Sequence, residues 1–352
     1  MITKRLFLVC ATVLTILSMS GVQLSAVGNS SSKVARIIQT NSAGDNVDII
    51  DPATNKVVGV IEGIEVNHGA AVAPDGSHIY VSDEAQSTLD VVDSKTLKII
   101  KRIPLSGHPN NIAIAPDGGR VYVAIHQAPG GVDVIDTRSL TNVKTLPTKG
   151  PIHNPYVAPD GKYVVAGSVE AKTVNVIDTQ TDQLAWTVDM GLGVRPMAFA
   201  KNPDGSTKWI FVQLSDFNGF AVVDFATHKE IKRIQNPDLL PGKSKVTAGA
   251  DPSHGMAVTP DGKTLVVCSR ENNELFAYSV PDLKLSGRAY LGGKGAAWVT
   301  LTPDGKTAYV AMAVTNDVSA VDVESMKEIA RIPVGYVPKR NTTGMLPAQS
   351  AD

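Results

Sequence analysis

The sequence predicts an all-β fold, a seven-bladed β-propeller with four antiparallel strands per blade, on three observations. First, Pro-Asp-Gly recurs at Pro74, Pro116, Pro159, Pro203, Pro260 and Pro303, at spacings of 42, 43, 44, 57 and 43 residues. Second, each copy leads into short β-branched runs, and five of the six go on to a Val-Ile-Asp-like segment, such as Val91-Val92-Asp93, Val134-Ile135-Asp136 or Ala320-Val321-Asp322. Third, the two ends of the chain each hold part of one such unit. A period of 40–50 residues with four strands marks a propeller blade, because one such sheet cannot bury both faces alone.

Within one unit, Gly107–Arg138, the elements follow in order. Gly107 to Pro109 lead into a first run, Ile112-Ala113-Ile114, and Pro116-Asp117-Gly118 turns the chain. Proline presets φ, Asp caps its own turn and Gly takes the left-handed position. Val121-Tyr122-Val123 runs back, and Val132, Val134 and Ile135 form a third run. A fourth closes each unit at a Gly or Pro. These short β-branched stretches between turn formers are strands of a meander.

The ends complete the count. Val34–Glu62 supplies second, third and fourth strands without a Pro-Asp-Gly before them, and Gly335–Met345 looks like a first strand with nothing after it. The expectation is one blade shared by both ends, which removes the free sheet edges. An eighth blade hidden in Gln235–Asp251 is the alternative, but that stretch is too polar and too rich in Pro and Gly for four strands.

The first residues read as a leader. Lys4 and Arg5 precede an apolar run from Leu6 to Ile16 and a small-residue stretch near Ser25-Ala26. That is the order of a secretory signal peptide, with a core short for a bilayer span. The expected organisation is a signal peptide at 1–26, a disordered segment at 27–33, one propeller at 34–346 and a tail at 347–352. The mature chain is then periplasmic or secreted, without a membrane segment, and is expected to be a monomer. Loss of Lys4 and Arg5 leaves 31 of 33 basic residues against 34 acidic ones. Such balance argues against nucleic acid as partner. Only Cys268 remains of two cysteines, so there is no disulfide framework and stability must come from the core.

The units, written G-x-x-P…A-x-x-PDG-x-x-x-YV…V-x-VID-T, closely resemble the bacterial YVTN-type β-propeller repeats over nearly the whole mature chain. Relatives in that superfamily include sugar lactonases, the propeller domain of nitrous oxide reductase and heavy chains of quinoprotein amine dehydrogenases. The resemblance implies the fold, with the inner strand first in each blade; shared folds do not carry shared functions. The lead-ins to the inner strands then open on one face, and the Pro-Asp-Gly turns on the other.

Four histidines occupy lead-ins: His68, His153 and His254, each six residues before its proline, and His108, eight before. Equivalent positions in a ring converge on the mouth of the central channel. His126 opens on the same face, and Arg195 and Arg340 stand in the lead-ins of other blades. The acids Asp83, Glu84, Asp216 and Glu271 fall on this face as well. Three chemistries fit these residues. His68, His153 and His254 could hold a transition metal, Cu or Zn, since neutral imidazoles suit both. The arginines, with the five histidines, could bind an anionic or polar ligand. Alternatively, the histidines satisfy backbone groups and waters. The insertion that breaks the period, Asn236–Asp251, should overhang the same mouth, where long irregular loops commonly carry recognition.

The two functional expectations are a binding module, which presents this mouth to a small molecule, protein or cell-surface partner, and a metal-assisted lactonase, lyase or oxidoreductase acting there. No phosphate loop, Gly-x-Ser-x-Gly, His-Glu-x-x-His or Cys-x-x-Cys-His motif is present. Trp209 and Trp298 are read as packing between blades and Cys268 as an inert buried thiol.

Overall fold

A computed structural model of the chain describes residues 32–246, 249 and 251–348. The expected signal peptide lies outside the described residues, as do residues 27–31 and 349–352. The described residues form twenty-eight strands, numbered in chain order, in seven four-stranded antiparallel sheets. Blade 1 pairs β1 (Lys33–Asn41), β2 (Asn46–Asp51) and β3 (Lys56–Glu62) with the last strand of the chain. Blade 2 is β4–β7 (Asn67–Val72, His78–Asp83, Thr88–Asp93, Lys98–Pro104) and blade 3 is β8–β11 (Pro109–Ile114, Arg120–Ile125, Gly131–Asp136, Thr141–Leu146). Blade 4 is β12–β15 (Asn154–Val157, Tyr163–Gly167, Thr173–Asp178, Gln183–Asp189) and blade 5 is β16–β19 (Val194–Lys201, Thr207–Leu214, Gly219–Asp224, Lys229–Gln235). Blade 6 is β20–β23 (Ser253–Val258, Thr264–Ser269, Glu274–Ser279, Leu285–Tyr290). Blade 7 is β24–β27 (Ala296–Leu301, Thr307–Met312, Asp317–Asp322, Lys327–Pro333), and β28 (Pro338–Pro347) closes blade 1.

Burial explains the sequence of each blade. The second and third strands lie between neighbouring blades and are buried on both faces, as in β2 and β5, so they read as near-continuous apolar runs. The fourth strand faces solvent on one side and alternates, as in β3 and β27. Core clusters span adjacent blades: Val266, Cys268 and Leu275 of blade 6 pack with Val299, Val310 and Val321 of blade 7. Cys268 is fully buried, in keeping with its expected role.

The ring closes as expected. Strand β28 is the innermost of blade 1 and pairs with β1 from Lys33↔Pro347 through Thr40↔Arg340. Each boundary lies one residue outside the expected 34–346, so Lys33 belongs to the sheet and not to a disordered segment. The innermost strands β28, β4, β8, β12, β16, β20 and β24 neighbour one another around the axis. Six of the seven break register at their first residues, at His68-Gly69, Asn110-Asn111, Arg195-Pro196, His254-Gly255, Ala297 and Lys339. Such bulges re-aim side chains, and here they recur where each inner strand enters the channel.

Candidate functional site at the channel mouth

The centre of the mouth is Arg340, which is 2% exposed. Its Nη1 donates to His68 Nδ1 at 2.8 Å, and Nη2 donates to the side-chain carbonyls of Asn110 and of Asn154, the latter at 3.3 Å. The guanidinium also lies over Trp298, 5.0 Å from the ring centre. Blades 1, 2, 3, 4 and 7 therefore meet on one side chain. Among the described residues no carboxylate contacts Arg340, and its buried Nε–H has no partner. An unpaired buried cation is costly unless something else satisfies it.

Hydrogen bonding fixes the tautomers of the three central histidines. Because Arg340 can only donate, His68 Nδ1 carries a lone pair and its Nε2–H turns to Glu84, whose other oxygen meets His126 Nε2 at 3.2 Å. Glu84 sits well below the ordinary carboxylate range because both imidazoles hydrogen-bond its charged form. Burial nevertheless outweighs Glu84 and brings His68 down to about 4. His254 Nδ1 faces the Ala297 carbonyl at 2.7 Å, so this nitrogen carries the proton and Nε2 the lone pair. Asn154 turns its carbonyl to Arg340, and its amide donates to His153 Nδ1 at 2.7 Å, which leaves the proton on His153 Nε2. The His153 and His254 ring centres are 6.5 Å apart, edge to face. Burial, reinforced by Arg340, keeps both neutral. The mouth thus combines a free imidazole lone pair, an imidazole N–H and an unspent guanidinium N–H.

Not every expected residue joins this centre. His108 is exposed on the rim, with its ring centre 6.2 Å from that of His126. Arg195 lies at the edge, where Nη2 meets Asp251 at 2.7 Å and Nε donates to Ser215. Asp251 also meets Arg270 at 2.9 Å, so the end of the insertion does reach the mouth. The metal set expected at His68, His153 and His254 is not assembled. Both His68 nitrogens are taken, the Arg340 cation occupies the space between blades, and no group of three or more His, Cys, Asp or Glu is placed to hold a metal ion among the described residues. Trp298 is a floor for Arg340 and a neighbour of His254 at 5.7 Å, which corrects its reading as packing alone. Asn110, Asn154, Arg270, Asp251 and Lys339 were not singled out from the sequence. Asn110 stands six residues before its proline, as His68, His153 and His254 do, a signal that a search by position finds, whereas Asn154 follows His153 and Lys339 has no Pro-Asp-Gly after it from which to count.

Fold and site together define a closed seven-bladed propeller with a polar, cationic site where its inner strands enter the channel. Residues 142–328, more than half of the chain, match the family described as lactonase, seven-bladed β-propeller, and the chain belongs to that family. Residues 33–159 also match the cytochrome D1 heme domain. The matched family is not the YVTN repeat group named from the motifs, although both imply the seven-bladed ring. No curated protein matches the sequence. Among solved structures, a chain of Kuenenia stuttgartiensis hydrazine synthase is 25% identical with a TM-score of 0.71, over 81% of this chain and 92% of that one. The periplasmic gluconolactonase of Pseudomonas aeruginosa is 19% identical with a TM-score of 0.71, over 89% and 99%. A dihydro-heme d1 dehydrogenase is 18% identical with a TM-score of 0.64, over 87% and 74%. At such identities the last two are likenesses of fold.

Proposed function

We propose that the chain is an exported hydrolase that opens a small lactone at the channel mouth. Family membership supports the reaction class. The leader-like first 26 residues support export, as does the likeness to a protein described as a periplasmic gluconolactonase. The observation that carries the reading is Arg340, buried without a carboxylate and with its Nε–H unspent, beside a neutral imidazole base.

In this reading the ester carbonyl oxygen takes a hydrogen bond from His153 Nε2–H, within the field of the buried Arg340 cation. His254 Nε2 removes a proton from the attacking water as the C–O bond forms, and the carbonyl electron pair moves to oxygen. Collapse of the tetrahedral intermediate breaks the ring C–O bond, and the proton held by His254 passes to the leaving alkoxide. The products are a hydroxyl and a carboxylic acid that releases its proton to solvent as it becomes carboxylate, with no change in oxidation state. Low-dielectric donors aimed at a developing oxyanion supply the largest part of such catalysis, and a positioned base commonly adds 10²–10⁴-fold.

The test is ring opening of a panel of aldonolactones, followed as acid release in a pH-stat. His254→Gln should lower kcat by about 10²-fold or more, and Arg340→Met by a similar factor. Turnover of the whole panel at the spontaneous rate overturns the reading.

A further inference from the structure

The break in the repeat period builds a cavity on the mouth face, between blades 5 and 6. Its volume is about 470 Å³, within the range of small-molecule sites. The walls are two hairpin turns, at 216–218 after β17 and 271–272 after β21, and the roof is the insertion at 237–239 and Lys245. That roof is pinned to blade 6. Val246 N donates to the Glu271 carbonyl at 2.9 Å, Asn272 Nδ2 to the Pro237 carbonyl at 2.9 Å and Arg288 Nη2 to the Asp238 carbonyl at 3.0 Å. The floor is a chain of amides. Asn218 donates to Asn272 at 2.8 Å, and Asn236 donates to Asn218 at 2.9 Å and accepts from Tyr278 at 2.9 Å. Asn236 and Asn272 are 4% and 2% exposed, so the floor is fixed before anything binds.

Acceptors outnumber donors in this cavity. Lys245 is the one cation among the lining residues and is paired with Glu271, which leaves the Asp216 and Asp238 carboxylates outside any ion pair. The amide network continues inward to Gln213, which is fully buried. Its Nε2 donates to Ser253, which also takes Asn236, and its Oε1 has no donor. Carboxylate and carbonyl oxygens only accept, so the occupant has to donate. Two unpaired carboxylates also repel an anion. We propose that the cavity is a saccharide site, separate from the hydrolytic mouth, which takes one uncharged glycosyl unit. Its hydroxyls donate to Asp216 and Asp238 and accept from the second N–H of the Asn218 amide, a double role that hydroxyls fill and ammonium groups do not. The half-buried Phe217 and Leu239 offer an apolar wall to its C–H groups. None of these residues takes part in the proposed hydrolysis.

The experiment is binding of cellobiose to the full chain, followed by saturation-transfer NMR and titration calorimetry. The parent should bind it saturably, and Asp216→Gly/Asp238→Ala should weaken binding at least about tenfold, since each change removes a charged acceptor. Both side chains are exposed, and glycine suits the left-handed backbone at Asp216, φ +58°, so the variant should melt with the parent. Glucose should displace cellobiose, and the anion gluconate should not. No binding of cellobiose by the parent overturns the proposal, as does undiminished binding in the variant, which would place the sugar elsewhere. Displacement by gluconate as readily as by glucose overturns the assignment to an uncharged sugar, and this arm needs only the parent chain. Because the readout is binding and not lactone turnover, this proposal and the hydrolase reading can fail separately.

Discussion

The two ends of the channel are built from the same strands and solve opposite problems. At the turn end the polar groups are self-sufficient: Asp75, Asp117, Asp160, Asp204, Asp261 and Asp304 each accept a hydrogen bond from the backbone amide two residues on. The same bond is made in six blades, so it belongs to the fold. At the mouth no such repetition holds. Equivalent lead-ins carry His, Asn, Arg, Ala and Lys, and these satisfy one another across blades through Arg340, with an N–H left over. A polar residue that recurs with the period serves the blade; one that changes from blade to blade at a fixed position serves the site.

Acid should separate the two ends, with the largest effect of the comparison. His68, His153 and His254 are lowered in the folded protein, so the unfolded chain binds more protons below its ordinary value near 6.5. Stability is therefore complete above that pH and falls as pH drops, by up to about 1.4 kcal/mol per pH unit for each imidazole. For His68, down to about 4, this amounts to about 3 kcal/mol. The turn carboxylates act in a lower window. Asp75, Asp261 and Asp304 are held below their ordinary value by hydrogen bonds to neighbouring Ser or Thr side chains and backbone amides, and they lose their contribution only as pH falls below 3.8. Urea midpoints measured from pH 7 to 3 should decline first between 6.5 and 4. A His153→Gln/His254→Gln variant should flatten that upper decline and leave the lower one. An unchanged upper decline would mean that the imidazoles do not stay neutral in the fold.

Much of this division was readable before any coordinates. Period and residue type fixed seven blades because each unit needs its neighbours to bury its faces, and the half-units at the chain ends had no other place to go. The lead-in histidines were legible as a set because His68, His153 and His254 keep one distance to their turns. Arg340 was legible as a member of that set but not as its centre. Its strand ends the chain with no following Pro-Asp-Gly, so there was nothing from which to count its register. The bulges were hidden for the same reason: an extra residue shows only when the partner strand is known. The three imidazoles are not gathered as a ligand set among the described residues, since their spacing along the chain says nothing about which ring nitrogens are already engaged.

Glycine substitutions at the two ends of one strand sharpen the contrast. Gly255 follows His254 in the β20 bulge, and a Cβ there would lie 2.5 Å from Trp298 Cα and 2.7 Å from Val299 N. Backbone cannot move aside as a flexible side chain does, so Gly255→Ala should cost about 3 kcal/mol, at the upper end of overpacking. It should also shift Trp298 away from Arg340, seen as a changed tryptophan emission spectrum and weaker lactone turnover.

Gly262 closes the turn at the other end of the same strand, with φ of +72° and open space around its missing Cβ. Gly262→Ala meets no atom, so only the left-handed backbone opposes it, at about 1–2 kcal/mol. That turn lies on the face opposite the mouth, where Asp261 is held by the Lys263 amide and the Thr259 hydroxyl, so turnover should stay at the parent level while the thermal midpoint drops. The effect is the smaller of the two, and it is the more exacting test. A loss of activity at Gly262 comparable to that at Gly255 would mean that the turn end is coupled to the chemistry. The rule that periodic residues serve the blade alone would then be wrong for this protein.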